Sequence, residues 1–135
     1  MTQIVGADTP IQYSRRVNKP WGHELILTAP ELPYTGKLLH VTAGCRLSLQ
    51  WHDEKTETMT LLSGLATLTL ENDRGVLEVI PMEPGCGYTV LRGRKHRLSA
   101  VIDSVVMEAS SPESGFTFRL DDDFGRTDEI SGSAT

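Results

Sequence analysis

The stretch from Gly44 to Gly64 has the sequence GCRLSLQWHDEKTETMTLLSG and contains the residues that decide the fold. Its first half alternates as a β-strand does, because successive side chains of a strand point to opposite faces. Leucine and tryptophan side chains lie on one face, and Gln50 and His52 lie on the other. The second face therefore carries an amide oxygen and an imidazole that point the same way.

A second strand-like run begins at Glu57, shortly after His52. A hairpin between the two strands would bring Glu57 beside His52, and a glycine turn at Gly93 supplies a second imidazole, that of His96. Carboxylate, imidazole and amide groups together are typical ligands of divalent first-row transition metals. The sequence therefore predicts a four-ligand metal site formed by Gln50, His52, Glu57 and His96.

The same residues fall at the spacing of two cupin motifs, and the chain resembles the cupin family. The first motif, in which Gln50 replaces the first histidine of a His-x-His pair, is formed by Gly44, Gln50, His52, Glu57 and Gly64. The second motif, in which Leu91 replaces a proline, is formed by Gly85, Leu91, Gly93 and His96. The resemblance implies a jelly-roll barrel, the cupin double-stranded β-helix, with the metal inside it.

Three further segments resemble type II phosphomannose isomerases and related small cupins. They are Lys19-Pro-Trp-Gly22, Leu47-Ser-Leu-Gln50 and the ending RLDDDFGR from Arg119 to Arg126. The resemblance covers roughly residues 17–126. The chain departs from the family at Glu54, where a histidine is usual, at Lys55, where an arginine is usual, and at Thr58-Met59, where His-Trp is usual. The metal ligands match those of the family, whereas some of the residues that would surround the substrate differ.

The resemblance implies a metal-dependent aldose–ketose isomerase that acts on a sugar or a sugar phosphate. Glu108 is the candidate general base if its strand face lines the barrel, and Lys37 is a second candidate catalytic residue. Arg126, Arg97 and Arg119 are candidate ligands of an anionic substrate group, because a guanidinium binds such groups with paired hydrogen bonds. The alternatives are outward-facing side chains for the first two residues, structural ion pairs for Arg119 and Arg126, and a solvated basic loop for Arg97.

Zn²⁺ is the expected cofactor, with Mn²⁺, Fe²⁺, Ni²⁺ and Co²⁺ as alternatives, because a redox-inert metal suits isomerisation. Two other functions stay open. One is a different metal cupin enzyme, such as a dioxygenase, a lyase or an epimerase, since a fold does not fix a function. The other is a non-catalytic module that binds a sugar without turnover.

The composition is that of an ordinary globular chain. The 135 residues are 39% hydrophobic and 23% charged, with a formal net charge of −5. That charge argues against nucleic-acid or anionic-membrane partners, and the N-terminal segment lacks the apolar core of a signal peptide. We therefore expect a cytoplasmic protein with a small-molecule carbohydrate substrate, in which Cys45 and Cys86 are reduced thiols.

Short strand-like runs separated by turn signals, without a long helical period, predict an all-β sandwich or barrel. The segment Asn72–Gly75 has the composition of a hairpin turn. We expect an N-terminal arm over residues 1–16, the cupin barrel over residues 17–126, and a flexible acidic tail rich in serine and glycine over residues 127–135.

We predict that the protein is a homodimer. Small cupins commonly pair through strands or arms outside the barrel, and the N-terminal segment has apolar side chains without an evident place in the barrel: Ile4, Val5, Ile11, Tyr13 and Trp21. Light scattering at micromolar concentration should give twice the mass of one chain. A monomeric mass would count against the dimer.

Overall fold

A computed structural model describes residues 11–132, which form two six-stranded antiparallel sheets. The described strands are β1 (Arg15–Lys19), β2 (Gly22–Ile26), β3 (Thr35–Val41), β4 (Leu49–His52), β5 (Glu57–Ser63), β6 (Ala66–Glu71), β7 (Leu77–Pro81), β8 (Gly87–Val90), β9 (His96–Ala100), β10 (Ser104–Ser110), β11 (Phe116–Asp121) and β12 (Glu129–Ile130). The first sheet has the order β1-β2-β3-β10-β5-β8 and the second has the order β12-β11-β4-β9-β6-β7. This architecture confirms the predicted all-β jelly-roll barrel. Residues 11–132 include no helix with the length and hydropathy needed to span a membrane.

The central strands of the first sheet have one face against the barrel interior. Along β3 every second residue from Thr35 to Val41 is buried, and along β10 every second residue from Ser104 to Ser110 is buried. This alternation is typical of a strand with one face on the core. Lys37 and Glu108 consequently both face the interior, although the sequence left an outward position open for each.

The barrel interior has an apolar end and a polar end. On three neighbouring strands a buried charged residue stands next to the apolar core: Lys37 on β3, Glu57 on β5 and Glu108 on β10. Burial of apolar surface stabilises the fold by about 25 cal/mol per Å². The apolar end can therefore offset the free-energy cost of burying charges at the polar end. The apolar cluster consists of Trp21, Leu39, Val41, Met59, Leu61, Ala66, Leu68, Met82, Val90, Leu98, Ala100 and Val106.

The predicted turn at Asn72–Gly75 connects β6 to β7 as a hairpin. Asn72 Oδ1 accepts hydrogen bonds from the backbone N–H groups of Arg74 at 2.9 Å and Val76 at 3.1 Å. Gly75 has a φ of 76°, in the left-handed region that favours glycine. The turn therefore needs both its asparagine acceptor and its final glycine.

The hairpin predicted between the strands of His52 and Glu57 is wrong. β4 pairs with β9 and β11 in the second sheet, whereas β5 pairs with β8 and β10 in the first. Residues 53–56 cross from one sheet to the other instead of reversing within a sheet. His52 and Glu57 therefore meet across the barrel interior, and their proximity comes from the packing of two sheets.

Both ends of the described chain contribute strands. β1 begins within the predicted arm and pairs with β2, and Trp21, which had no evident place in the barrel, is buried in the apolar cluster. Within the predicted tail, β12 pairs with β11, and Ser131 is buried. Ile4 and Val5 lie outside the described residues, so the domain boundaries and the homodimer stay predictions.

The two cysteines are free thiols. Cys45 is half-buried and Cys86 is exposed, and neither forms a disulfide within residues 11–132. Cys86 Sγ instead lies 3.6 Å from a carboxylate oxygen of Glu83. The reduced state of the two thiols stays a prediction.

Truncation of a core leucine should destabilise the protein far more than truncation of an exposed one. Leu68 is 0% exposed and Leu62 is 51% exposed. We expect Leu68→Ala to lower the free energy of unfolding by about 2–5 kcal/mol, because it deletes buried methyl groups and leaves a cavity. Leu62→Ala should change it by about 0.5 kcal/mol or less. Urea denaturation measures both, and equal losses would contradict the assigned core.

Candidate metal centre

Three buried side chains converge at the polar end of the barrel. His52 ends β4, Glu57 begins β5 and His96 begins β9. Their ligand atoms all lie within 4.8 Å of one another. Glu57 Oε1 is 2.8 Å from His96 Nε2 and 3.6 Å from His52 Nε2. The structure thus brings together three of the residues that the sequence predicts as metal ligands.

Gln50 lies beside this cluster. Its Cα partner in the pairing of β4 with β9 is His96, and its Nε2 is 3.4 Å from His52 Nε2. Ser48 donates a hydrogen bond to Gln50 Oε1 at 2.6 Å. A metal would bind the amide oxygen Oε1, but it is Nε2 that faces His52. Ligation therefore requires the amide group to flip, and the orientation of an amide group is assigned from its hydrogen-bond network. Gln50 stays a predicted fourth ligand.

Each histidine is oriented through the ring nitrogen that faces away from the cluster. His96 Nδ1 donates a hydrogen bond to the backbone carbonyl of Arg94 at 3.0 Å, which leaves Nε2 unprotonated in the neutral ring. His52 Nδ1 is 2.9 Å from Thr117 Oγ1, which is 3.0 Å from Ser131 Oγ. Partners of this kind are typical of metal-ligating histidines, because they direct the other nitrogen at the ion.

The cluster contains buried acceptors that a cation would satisfy. Neither the carboxylate oxygens of Glu57 nor Nε2 of His96 makes a hydrogen bond of good geometry with another described residue. Their contacts are an ion pair of Glu57 Oε2 with Lys55 Nζ at 3.3 Å and the 2.8 Å approach of Glu57 Oε1 to His96 Nε2. An unpaired buried polar group costs roughly 1–3 kcal/mol. A carboxylate and two imidazoles that face one point fit a divalent first-row transition metal. The residues present therefore support a divalent metal, and this donor set suits all five metals named above.

Lys55, in the crossover between β4 and β5, is a buried cation of the site. Its Nζ lies 3.3 Å from Glu57 Oε2, 3.3 Å from Glu108 Oε2, and 3.3 Å from each carboxylate oxygen of Glu113. Burial alone would lower the pKa of Lys55, but the charges of these three carboxylates raise that pKa well above its usual value. Lys55 is therefore an ammonium that connects the metal cluster to the rest of the cavity.

Lys37 and Glu108 lie side by side because they are direct partners in the pairing of β3 with β10. Burial raises the pKa of Glu108 to about 8, and the charge of Glu57 adds to this rise. Burial lowers the pKa of Lys37, but the carboxylates of Glu108 and Glu113 outweigh burial and raise it. Glu108 can therefore exchange a proton near neutral pH, whereas Lys37 stays an ammonium.

A cavity of about 60 Å³ is lined by His52, Lys37, Lys55, Glu108 and Glu113, whereas Glu57 and His96 are not part of its wall. Gln50, Thr117, Arg119 and Arg126 also form part of its wall. Such a volume suits a metal ion with a few water molecules, whereas sites for small-molecule ligands usually enclose about 300–1,000 Å³. A whole sugar therefore requires part of the wall to move.

The predicted substrate-binding arginines occupy different places. Arg119 and Arg126 line the cavity, and each is paired with a carboxylate of the C-terminal segment. Arg97 is not part of the cavity wall; it donates hydrogen bonds to Asp121 and to the backbone carbonyl of Leu47. The wall positions are consistent with anion binding by the first two, and a substrate role for Arg97 stays a prediction.

Sequence reasoning does not identify Lys55 or Glu113 as cavity residues. Both lie in connections between strands, where charged side chains are ordinarily exposed. The one signal for Lys55 is its place inside the first motif, at a position where the isomerases have another cation. Glu113 lies in the segment SSPESG, which reads only as a loop.

Comparison with known proteins agrees with this architecture. Residues 7–101 match the family model described as mannose-6-phosphate isomerase C-terminal, and no curated protein matches the chain. KdgF from Halomonas sp. is similar in structure, with a TM-score of 0.59 and 18% identity over 70% of this chain and 82% of that chain.

Oxalate decarboxylases are also similar in structure. The enzyme from Bacillus subtilis, which has Mn(II) centres, gives a TM-score of 0.71 and 18% identity over 85% of this chain and 33% of its own. The formate complex of the Lactobacillus farciminis enzyme gives 0.71 and 20% identity over 85% and 37%. The chain thus spans about a third of these enzymes, and at such identities the likeness shows the fold.

We predict that the purified protein retains about one divalent metal per chain and that His52→Ala and His96→Ala each lose it. Each substitution removes a buried nitrogen ligand from a small donor set, and elemental analysis after dialysis measures the stoichiometry. His23→Ala is the matched control, because His23 stacks on His40 outside the cluster, with ring centroids 4.3 Å apart. Full occupancy in both cluster variants would refute the assignment.

Proposed function

The chain belongs to the mannose-6-phosphate isomerase C-terminal family and is a cupin, and on this premise we propose a metal-dependent aldose–ketose isomerase acting on a sugar or a sugar phosphate. The observation that carries the proposal is Glu108, a buried carboxyl in the cavity beside the metal cluster. Aldose–ketose isomerisation needs a Lewis acid and a base that moves a proton between neighbouring carbons. It needs no oxidant or reductant.

In this proposal His52, Glu57, His96 and Gln50 hold the metal. A bound divalent metal supplies Lewis-acid stabilisation of negative charge on the substrate's oxygen atoms. The hydrogen bonds from the far sides of the imidazoles, to Thr117 and to a backbone carbonyl, support this role because they fix the ring orientation.

Glu108 is the proposed base. Its carboxylate takes the proton from the carbon next to the substrate's carbonyl. The electron pair of that C–H bond forms a C=C double bond while the π pair of the C=O bond moves to the carbonyl oxygen, which gives an enediolate. Return of the proton to the neighbouring carbon, with transfer of a hydroxyl proton between the two oxygens, gives the isomer. The pKa of Glu108, about 8, supports this role because a base works best with a pKa near the working pH.

The buried cations have supporting roles in this proposal. Lys37 and Lys55 are buried ammonium groups, and a buried charge stabilises developing negative charge more strongly than a charge in water does. Arg119 and Arg126 stand on the cavity wall, where they would bind a phosphate. Arg97 is a further predicted ligand of that phosphate.

Glu108→Gln should lower kcat by about 10²–10⁴-fold, because an amide cannot accept the proton. The change in KM should be smaller, since the substitution leaves the shape of the cavity unchanged. The assay is turnover of the metal-loaded protein on a panel of aldoses, ketoses and their phosphates. Glu78→Gln, on an exposed position of β7, is the matched control. A Glu108→Gln protein with the kcat of the wild type would remove Glu108 from this role.

The reaction class is tested with the same panel in deuterated water. An isomerase incorporates deuterium at the carbon next to the carbonyl and interconverts aldose and ketose. Incorporation with an epimer as the product would replace the isomerase with an epimerase. Absence of both product and deuterium exchange across the panel would contradict the isomerase proposal and favour a sugar-binding module or another metal cupin activity.

A further inference from the structure

Glu113 extends from a loop into the candidate active-site cavity. It lies between β10 and β11, and its carboxylate pairs with Lys37 and places both oxygens 3.3 Å from Lys55 Nζ. Its side chain is only 18% exposed, although a loop glutamate could otherwise extend into water. The carboxylate thus fills a position between two cations at the wall of the cavity.

The two lysines that Glu113 contacts come from different parts of the fold. Lys37 lies in the middle of β3 and Lys55 lies in the crossover between the sheets, and their side chains are 5% and 6% exposed. A buried ion without a partner costs several kcal/mol. Lys37 also contacts Glu24 at 3.5 Å, and Lys55 also contacts Glu57 at 3.3 Å. Each lysine therefore keeps a carboxylate when Glu113 leaves, but a position for one further anion remains between them.

The loop is anchored at its ends. The backbone N–H of Ser111 donates to the carbonyl of Thr56 at 3.0 Å, and that of Phe116 donates to Asp53 Oδ1 at 2.8 Å. Between these anchors, none of the described residues outside the loop forms a hydrogen bond with the backbone of residues 112–114. The ion pairs of Glu113 are therefore the main polar contacts of the loop tip with the barrel.

We propose that Lys37 and Lys55 form a subsite for a carboxylate group of the substrate, and that Glu113 occupies this subsite until the substrate displaces it. The substrate is then a sugar acid. Displacement also moves a wall residue out of a cavity that is too small for a sugar. The sugar part of this assignment rests on the proposed function, whereas the carboxylate subsite rests on the ion pairs.

A carboxylate fits the exchange better than a phosphate does. Replacing Glu113 by another carboxylate leaves the charge between Lys37 and Lys55 unchanged. A phosphate dianion would add a negative charge near Glu24 and Glu57, which pair with the two lysines, in surroundings where like charges repel more strongly than in water. The planar carboxylate of Glu113 also shows that a group of this shape reaches both ammonium groups at once.

The experiment uses the metal-free protein, so that a carboxylate cannot bind through the metal. NMR titrations of protein with labelled lysine side chains give apparent Kd values for glycolate, its neutral amide glycolamide, and methyl phosphate. The variants are Glu113→Ala, Glu113→Gln and Glu113→Ala combined with Lys37→Met. Glu54→Ala removes an exposed carboxylate of the neighbouring crossover and is the matched control. Thermal melting confirms that each variant is folded.

We expect glycolate to bind Glu113→Ala about tenfold more tightly than the wild type, because the apparent Kd rises as the open fraction of a site falls. Glu113→Gln should show a smaller gain in the same direction. The Glu54→Ala protein should bind as the wild type does, glycolamide should show no gain, and the added Lys37→Met should remove the gain for glycolate.

Equal glycolate affinity in the wild type and both Glu113 variants would overturn the subsite. A gain for methyl phosphate as large as that for glycolate would overturn its preference for a carboxylate. Because the titration needs neither metal nor turnover, its failure is distinct from a failure of the isomerase proposal, which the deuterium experiment reports. Turnover assays with D-glucuronate and D-galacturonate then test the carboxylate subsite and the isomerase proposal together.

Discussion

The polar end of the barrel depends on the mutual compensation of buried charges. Lys55 lies among the carboxylates of Glu57, Glu108 and Glu113, with which it forms ion pairs. An unpaired ion in a protein interior costs several kcal/mol, so these residues are tolerated only while they stay together. The ion pairs therefore fix the relative positions of the crossover between the sheets, two strands of the first sheet and the loop after β10.

The apolar end of the barrel fixes the backbone that carries the buried charges of the polar end. Leu39, Met59 and Val106 are at most 1% exposed, and each stands two positions from a buried charge on its own strand. Residues two apart on a strand share a face, so one inner surface carries both the core and the site. The charged side chains are thereby attached to backbone that close packing already fixes, which limits how far they can move.

Local patterns predict much of this arrangement and fail where the answer depends on distant strands. Alternation predicts the strands, and motif spacing places His52, Glu57 and His96 together. Spacing cannot tell whether two successive strands pair or face each other, because that is decided by which other strands occupy their edges, here β10 for one and β11 for the other. Sequence reasoning misses Lys55 and Glu113 for the same reason, since each is buried by elements remote from it in sequence.

The charge balance around Lys37 and Lys55 gives the proposed exchange its selectivity. A neutral sugar that displaced Glu113 would leave the two ammonium groups with one carboxylate fewer, and a dianion would leave an excess of negative charge near Glu24 and Glu57. Both outcomes place an uncompensated charge in a site with little water. A single carboxylate restores the balance that Glu113 provides, so the site discriminates among substrates through the penalty on the wrong charge as much as through contacts with the right one.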